Sequence, residues 1–220
     1  MTARDAATAD LFEDRAGDAA LAPGAVLLRG FVGSSDGALL AGVAQVSAAA
    51  PFRYLLVRSG ARMSVAMTNC GALGWVSDRS GYRYDPRDPE TGQPWPAMPP
   101  AFVELARRAA EAAGYPGYVP DACLVNRYAP GARLSLHQDR DERDLRAPIV
   151  SVSLGLPAVF LWGGLSRSDP ARRLRLTHGD VAVWGGPARM TYHGVAPLAD
   201  GEHAATGRVR YNVTFRRARP

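Results

Sequence analysis

The chain has 220 residues, 47% of them hydrophobic, and a formal net charge of +5. This length and composition suffice for one compact domain and exclude an intrinsically disordered chain. No apolar run approaches the roughly 18 residues of a membrane-spanning helix, and the polar N-terminus lacks the features of a secretory signal. The two cysteines, Cys70 and Cys123, are too few for a disulfide framework, so we expect reduced thiols in a cytoplasmic protein.

The N-terminal residues differ in composition from the rest of the chain. Residues 1–20 hold two Arg and five acidic residues, which predicts a flexible arm. We place a single domain over residues 21–220. All 26 basic residues of the chain are Arg, whose planar guanidinium group suits phosphates and carboxylates. The alternative, a mutational bias toward GC-rich codons, explains most of this arginine use, and net charge alone gives only weak support for nucleic acid.

Hydrophobic spacing predicts two helices in the first half of the chain. The first is capped by Ser34 or Ser35 and runs to about Ala49. The second covers residues 101–113. Between them, Gly, Pro and aromatic residues interrupt any period from about residue 51 to residue 100. We interpret this segment as a lid of short strands and long loops, because long loops in a compact domain are often functional.

After residue 120 the hydrophobic period changes to the two-residue alternation of strands. Short strands separated by Gly- and Pro-containing turns are predicted there. They cover Ala122–Tyr128, Leu134–His137, Ile149–Leu154, Ala158–Trp162, Arg172–Leu176, Asp180–Trp184, Thr191–Val195 and Arg208–Phe215, and one earlier strand covers Val26–Phe31. The pattern predicts a mainly β (α+β) fold with a sandwich or jelly-roll core over about residues 120–217 and two helices on one outer face.

His137, Asp139 and His193 are the candidate metal ligands. In an extended segment residues i and i+2 point to the same side, so His137 and Asp139 can approach one ion. Among the other histidines, His178 lies at a predicted turn and His203 in a polar loop, whereas His193 lies in a predicted strand. Two histidines and one carboxylate can hold Fe(II) and leave positions open for oxygen chemistry.

This ligand pattern leaves alternatives open. A His-x-Asp pair often occurs by chance, and the same three ligands can hold Zn²⁺. The histidines can also be ordinary core or surface residues. The all-β second half and an Arg-rich strand downstream favour iron.

That strand, Arg210–Arg216, provides a candidate anion site, because alternate residues of a strand share one face. The residues on that face are Arg210, Asn212, Thr214 and Arg216. Such a face in a core is costly unless an anion pairs with it, as a dicarboxylate would. Asn126 and Tyr128 offer an amide and a phenol on one face of another strand. The alternative is a strand at a sheet edge with its arginines in water.

Several segments closely resemble the AlkB family of alkylation-repair dioxygenases, which depend on Fe(II) and 2-oxoglutarate. The resemblance covers roughly residues 21–217 and follows the family's order. The segments are Met63–Gly71, Asn126–Gly131, Leu136–Asp139, Ser151–Gly155, His178–Gly186, Tyr192–Gly194 and Arg210–Arg216. The resemblance implies a double-stranded β-helix, which is a variant of the jelly roll, with an N-terminal nucleotide-recognition lid.

The resemblance also implies roles at the site. Fe(II) would be bound by His137, Asp139 and His193, with 2-oxoglutarate and O₂ as cosubstrates. The residues that would bind 2-oxoglutarate are Asn126, Tyr128, Arg210, Asn212 and Arg216. We favour Arg210 for the distal carboxylate and Arg216 for the keto-acid end.

By the same resemblance, the lid would hold the damaged base. Trp75 would stack on the base opposite His137, and Asp141 or Glu142 would favour a cationic alkylated base over a neutral one. The other expected substrate contacts are Met63, Met67, Tyr82, Arg83, Tyr84 and Arg167. The alternatives are lid aromatics that pack against the barrel, methionines that fill the core and a solvated acidic turn.

The implied function is DNA repair by oxidative demethylation of N-alkylated bases such as 1-methyladenine and 3-methylcytosine. The reaction would convert 2-oxoglutarate to succinate and CO₂ and release an aldehyde. The expected partner is alkylated single-stranded DNA, with double-stranded DNA and RNA as further candidates, and the expected state is a monomer without membrane contact. The alternatives are the same iron chemistry on a small molecule or protein, and a non-catalytic nucleic-acid-binding protein.

Overall fold

A computed structural model describes residues 17–219 of the chain. Within that range the chain forms two α-helices, α1 (Asp36–Ala49) and α2 (Pro100–Ala112), and a series of short strands. The strands are β1 (Ala19–Ala22), β2 (Ala25–Leu28), β3 (Arg53–Leu56), β4 (Arg62–Gly71), β5 (Gly74–Asp78), β6 (Gly81–Asp85), β7 (Ala122–Tyr128), β8 (Leu134–His137), β9 (Ile149–Gly155), β10 (Ala158–Trp162), β11 (Arg172–Leu176), β12 (Val181–Trp184), β13 (His193–Val195) and β14 (Arg210–Arg216).

Two sheets form the framework of the molecule. The major sheet has eight strands in the order β1-β2-β12-β9-β14-β7-β4-β3, and the minor sheet has four in the order β11-β10-β13-β8. Apolar side chains from both sheets share one core, in which Trp184 of the major sheet contacts Phe160 and Trp162 of the minor sheet. The predicted mainly β jelly roll with two supporting helices is therefore confirmed.

Both helices pack against the face of the major sheet that is turned away from the minor sheet. The buried residues of α1 recur with the spacing of one helical face. They are Leu39, Gly42, Val43 and Val46. Phe102 of α2 makes an edge-to-face contact with Phe215 of β14, with ring centroids 5.8 Å apart. This contact anchors the helical layer on the strand that carries the predicted anion site.

The helix ends agree with the predictions to within one residue, with one local difference. Ser35 occupies the position before α1, but its side chain makes no capping hydrogen bond. A turn of 3-10 helix over Gly33–Ser35 leads directly into α1, so the backbone of Ser35 is already helical and not extended as a capping residue requires. Gly114 follows α2 with a φ of +86°, the left-handed conformation expected after a helix.

Strands β9, β12, β13 and β14 differ from the predictions by one or two residues at their ends, and three further differences concern the first half of the chain. The strand predicted over residues 26–31 ends at Leu28, because Gly30 has a φ of +58° and turns the chain. Strand β1 begins at Ala19, so the last two residues of the predicted arm belong to the major sheet, while residues 1–16 lie outside the described residues. Strands β3 and β4 of the predicted lid also join the major sheet, which leaves the β5–β6 hairpin as a separate two-stranded sheet.

Cys70 and Cys123 are both free and buried, and they lie opposite each other on β4 and β7. Burial raises the pKa of the Cys123 thiol well above its ordinary value, so this thiol stays protonated. Neither α1 nor α2 has the length and apolarity that a membrane-crossing helix needs.

The two glycines of α1 offer a matched test of the helix packing. A Cβ at Gly42 would lie 2.6 Å from the Phe102 ring, whereas a Cβ at Gly37 would meet nothing within 4 Å. We expect Gly37→Ala to be neutral or to stabilise the fold by about 0.5–1 kcal/mol, as for other helical glycines. We expect Gly42→Ala to destabilise it by roughly 1–2 kcal/mol, since overpacking outweighs the helix propensity of Ala. Urea unfolding of the two variants measures both free energies, and equal effects would contradict the packing.

Candidate metal centre and cosubstrate cavity

The three side chains predicted as metal ligands meet in the structure. Nε2 of His137 lies 3.7 Å from Oδ1 of Asp139, and Nε2 of His193 lies 3.8 Å from Oδ2 of the same carboxylate. Their potential ligand atoms all lie within 4.8 Å of one another. This spacing fits three ligands around one ion, and two nitrogens with one oxygen suit Fe(II) with open positions.

The pairing of β8 with β13 brings the two histidines together. His137 lies directly opposite His193, with ring centroids 4.4 Å apart. The neighbouring Gly194 lets the two backbones approach closely, because a Cβ there would lie 2.7 Å from the carbonyl oxygen of Leu134. A contact between strands that are far apart in the sequence therefore completes the triad.

Backbone carbonyls fix the tautomers of both histidines. Nδ1 of His137 donates a hydrogen bond to the carbonyl oxygen of Ser135 at 2.8 Å, and Nδ1 of His193 donates to that of Thr191 at 3.0 Å. A carbonyl oxygen can only accept, so the proton of each neutral ring resides on Nδ1. Each Nε2 therefore keeps a lone pair directed at the other ligands, as metal-binding histidines require.

Electrostatics hold the ligands in their metal-binding forms. Burial opposes the ionisation of Asp139, but Arg216 donates two hydrogen bonds to Oδ2, at 3.0 and 2.7 Å. Together with the positive influence of the nearby histidines, this contact holds the pKa of Asp139 well below its ordinary value. Burial and the neighbouring His137 lower the pKa of His193 to about 4. At neutral pH the carboxylate is therefore ionised and His193 is neutral.

A cavity of about 580 Å³ opens beside the triad. Its lining includes all the residues predicted to bind 2-oxoglutarate, namely Asn126, Tyr128, Arg210, Asn212 and Arg216. It also includes most of the residues predicted to bind the substrate, namely Met63, Met67, Trp75, Tyr82, Tyr84, Asp141, Glu142 and Arg167. The fold therefore gathers residues from both halves of the chain around one space.

The polar wall of this cavity is formed by the predicted anion-site strand. Strand β14 lies between β9 and β7 in the middle of the major sheet, so the alternative of an edge strand with solvated arginines is wrong. Arg210 is only 1% exposed, and Arg216 is 7% exposed. The strand pairing places Asn126 opposite Asn212 and Tyr128 opposite Arg210, which joins the two predicted polar faces.

The wall contains a buried guanidinium group with unused donors. Nη2 of Arg210 donates to Oγ of Ser153 at 3.0 Å, and its guanidinium carbon lies 5.0 Å from the ring centroid of Tyr128. Nε and Nη1 of Arg210 have no hydrogen-bond partner among the described residues, and neither has Oδ1 of Asn126. An unpaired buried cation is costly. A carboxylate in the cavity would supply the missing acceptors, so these residues fit a dicarboxylate cosubstrate.

The lid aromatics also line the cavity. The rings of Trp75 and Tyr82 stack with centroids 5.5 Å apart, and Nε1 of Trp75 donates to Oδ2 of Asp141 at 2.9 Å. Tyr82 is 51% exposed, so it is not core filler. This part of the cavity therefore offers flat apolar surfaces next to a solvent-facing carboxylate.

For two of the predicted substrate residues, Arg83 and Glu142, the structure gives surroundings that differ from those expected. Arg83 does not line the cavity, because alternation along β6 turns it to the side opposite Tyr82 and Tyr84, where it pairs with Asp78. Glu142 does line the cavity, but its carboxylate is occupied by hydrogen bonds and ion pairs within the protein. Arg83 therefore lies outside the cavity, where its contact with the substrate stays a prediction, and the Glu142 oxygens are already engaged.

Arg189 belongs to the site and was not anticipated from the sequence. It is 3% exposed, and it donates to the backbone oxygen of Asp139 at 2.6 Å and to Oε2 of Glu142 at 2.9 Å. It lies in an irregular segment, where no periodic pattern marks a buried face. The sequence feature that could have indicated Arg189 is its position four residues before His193, in a Gly-rich turn that precedes the strand with this ligand.

Comparisons with known proteins agree with this geometry. The sequence profile of the 2OG-Fe(II) oxygenase superfamily matches residues 24–216. The alpha-ketoglutarate-dependent dioxygenase AlkB of Salmonella typhimurium is 60% identical over 210 residues, which cover 95% of this chain and 97% of that protein. The protein of the same name from Escherichia coli is 60% identical over 198 residues, covering 90% and 92% of the two chains.

The fold comparison gives the same result. The solved structure of OsALKBH1 matches with a TM-score of 0.78 and 29% sequence identity, and the match covers 91% of this chain and 99% of that chain. Alpha-ketoglutarate is a synonym of 2-oxoglutarate, the dicarboxylate that fits the cavity. The chain therefore belongs to the 2OG-Fe(II) oxygenase superfamily and, within it, to the AlkB family of dioxygenases.

Proposed function

We propose that this protein repairs alkylated bases in nucleic acid by Fe(II)- and 2-oxoglutarate-dependent oxidative demethylation. One observation carries the proposal: the His137–Asp139–His193 triad, the unpaired donors of Arg210 and the stacked Trp75 all open onto one cavity. The protein is an AlkB-family dioxygenase, and the small-molecule and non-catalytic alternatives are not favoured.

Within this cavity, we place the cosubstrate between the two arginines of β14. Arg216 already pairs with the metal ligand Asp139, so it lies at the metal end. Arg210 lies six residues earlier on the same face and has two unused N–H groups, so it is suited to the distal carboxylate. Tyr128 and Asn126 complete the polar wall around the bound dicarboxylate.

The bound ferrous ion and 2-oxoglutarate would supply the oxidant that hydroxylates the alkyl carbon attached to a base nitrogen. The resulting hemiaminal loses an aldehyde, formaldehyde in the case of a methyl group, and leaves the repaired base. The protein's own residues hold the metal, orient the base and exclude water. Trp75 offers a stacking surface for a base taken out of its strand, and His137 lines the same cavity.

The substrate of the enzyme is nucleic acid, as for its relatives. Arginines around the cavity support phosphate contacts, since Arg62, Arg133, Arg140 and Arg167 all line it and are exposed. We propose single-stranded alkylated DNA as the preferred form, because an unpaired base enters a pocket without the cost of unpairing. We also propose a monomer in the cytoplasm, where the free thiols and ferrous iron are both maintained.

The metal triad can be tested against the other histidines of the chain. We expect His137→Ala, Asp139→Ala and His193→Ala each to abolish demethylation, since each removes one of three ligands. His178→Ala and His203→Ala serve as controls and should retain it, because neither residue lines the cavity. Mass spectrometry of a 1-methyladenine oligonucleotide incubated with Fe(II), ascorbate and 2-oxoglutarate measures the product. Turnover by any folded triad variant would contradict the ligand assignment.

The cosubstrate assignment predicts a specific kinetic defect. Arg210→Met should raise the KM for 2-oxoglutarate roughly 10- to 100-fold, the loss expected when charge-assisted hydrogen bonds worth about 1.5–3 kcal/mol disappear. Arg29→Met is a control, because it removes a partly buried arginine that pairs with Asp180 outside the cavity. Succinate formation at varied 2-oxoglutarate concentrations measures the effect. An unchanged KM would reject Arg210 as the carboxylate clamp.

The phosphate contacts predict a change in salt dependence. Arg140→Gln or Arg167→Gln should weaken binding to a methylated oligonucleotide and lower the slope of log K against log salt by about one. Arg173→Gln, on the exposed part of β11 and outside the cavity, should leave the slope unchanged. Fluorescence anisotropy at several salt concentrations gives the slopes, and equal slopes for all three variants would count against these contacts.

A further inference from the structure

The carboxylate of Glu142 is the meeting point of three elements of the fold. Its side chain is only 2% exposed and lies in the segment that joins β8 to β9, three residues after Asp139. Oε1 accepts a hydrogen bond from the hydroxyl of Tyr84 at 2.6 Å and lies 3.3 Å from Nε of Arg216. Oε2 accepts from Nη2 of Arg189 at 2.9 Å. Both oxygens are therefore engaged inside the protein.

Arg189 ties together the two segments that carry the metal ligands. Besides Glu142, it donates through Nη1 to the backbone oxygen of Asp139 at 2.6 Å and through Nε to that of Ala147 at 3.1 Å. It lies just before β13, the strand that begins with the ligand His193. The guanidinium group of Arg189 thus binds both ends of the 139–147 segment. Its own backbone leads into the strand that begins with His193.

A short chain of contacts connects the lid to the metal ligand. Tyr84 belongs to the β5–β6 hairpin, whose other residues Trp75 and Tyr82 face the cavity. Tyr84 contacts Glu142, Glu142 contacts Arg216, and Arg216 donates two hydrogen bonds to Asp139. Every link is buried or partly buried, so solvent screens it little.

We propose that Glu142 and Arg189 are positioning residues that couple the β5–β6 hairpin to the Asp139 carboxylate, so that the placement of the hairpin and metal affinity depend on each other. The role of the hairpin in this inference rests on the proposed function. The effect of Glu142 on metal affinity does not. Glu142 then acts through Asp139 and the hairpin and not by touching the base. Two arginines compensate its charge, whereas the exposed Asp141 keeps a charge at the cavity that can meet a cationic base.

Conservative variants separate coupling from simple loss of stability. Tyr84→Phe keeps the ring and removes only the hydroxyl, and Glu142→Gln keeps the shape and removes the charge. Arg189→Lys keeps a cation but cannot donate in three directions, so it is compared with Arg189→Met. Arg53→Met is the control, because it breaks a partly buried ion pair with Asp88 outside the cavity.

Three quantities are measured on the 220-residue chain: the affinity for Mn²⁺ in the presence of 2-oxoglutarate, and the KM and kcat for a 1-methyladenine oligonucleotide. Glu142→Gln should weaken Mn²⁺ binding about 10-fold or more, the usual cost of removing a group that orients a metal ligand. Tyr84→Phe should mainly raise the KM for the oligonucleotide. The double variant should raise this KM by less than the product of the single effects, because both changes break one chain of contacts.

The rescue and control variants complete the test. Arg189→Lys should retain more Mn²⁺ affinity than Arg189→Met, and Arg53→Met should leave this affinity at the wild-type value even if it lowers thermal stability.

The proposal is overturned if Glu142→Gln binds Mn²⁺ like the wild type, or if the effects of Tyr84→Phe and Glu142→Gln on KM multiply independently. A Glu142→Gln variant that loses only its preference for cationic bases would instead make Glu142 a base-contacting residue. Failure of the wild type to demethylate would reject the proposed function and leave the Mn²⁺ result standing.

Discussion

The pairing of Arg216 with Asp139 is the interaction on which the site depends. A carboxylate that is 8% exposed needs a partner, because burial alone would favour its neutral form. Two hydrogen bonds from Arg216 keep it ionised and fix its orientation toward the histidines. Arg216 ends β14 in the middle of the major sheet, so a central strand of that sheet positions the partner of a metal ligand. The minor sheet brings the two histidines together, so the site depends on both sheets.

Arg210 makes the opposite case, a buried cation that the protein leaves partly unpaired. Its Nε and Nη1 groups lack partners, although the strand around it is fully paired. Such a group lowers the stability of the protein alone and favours the complex with an anion, since binding replaces the lost hydration of the guanidinium. The same strand thus carries one arginine satisfied by the protein and one available for a cosubstrate. This difference supports the proposed direction of 2-oxoglutarate along β14.

The sequence predicts those parts of the site that follow from local periodicity. His137 and Asp139 are two residues apart, and their ligand atoms approach each other as this spacing predicts, although β8 ends at His137. Arg210 to Arg216 alternate along a strand, so their directions follow from strand geometry. The same rule places Arg83 on the side of β6 opposite Tyr82 and Tyr84, where it pairs with Asp78. Arg189 and the pairing of His193 with His137 could not be derived, because they depend on contacts between segments about 50 residues apart. Periodicity within one strand carries no information about such contacts.

The neighbours Asp141 and Glu142 show how one residue step changes the chemistry of a carboxylate. Asp141 is exposed and holds the indole N–H of Trp75, whereas Glu142 is buried between Arg189 and Arg216. A carboxylate flanked by two guanidinium groups adds little net field to the cavity, because their charges compensate it. Under the proposed function, Asp141 is therefore the carboxylate of the two that is available to a cationic base near Trp75. If Asp141 meets the base and Glu142 positions the metal ligand, as proposed, a substitution at one need not impair the other.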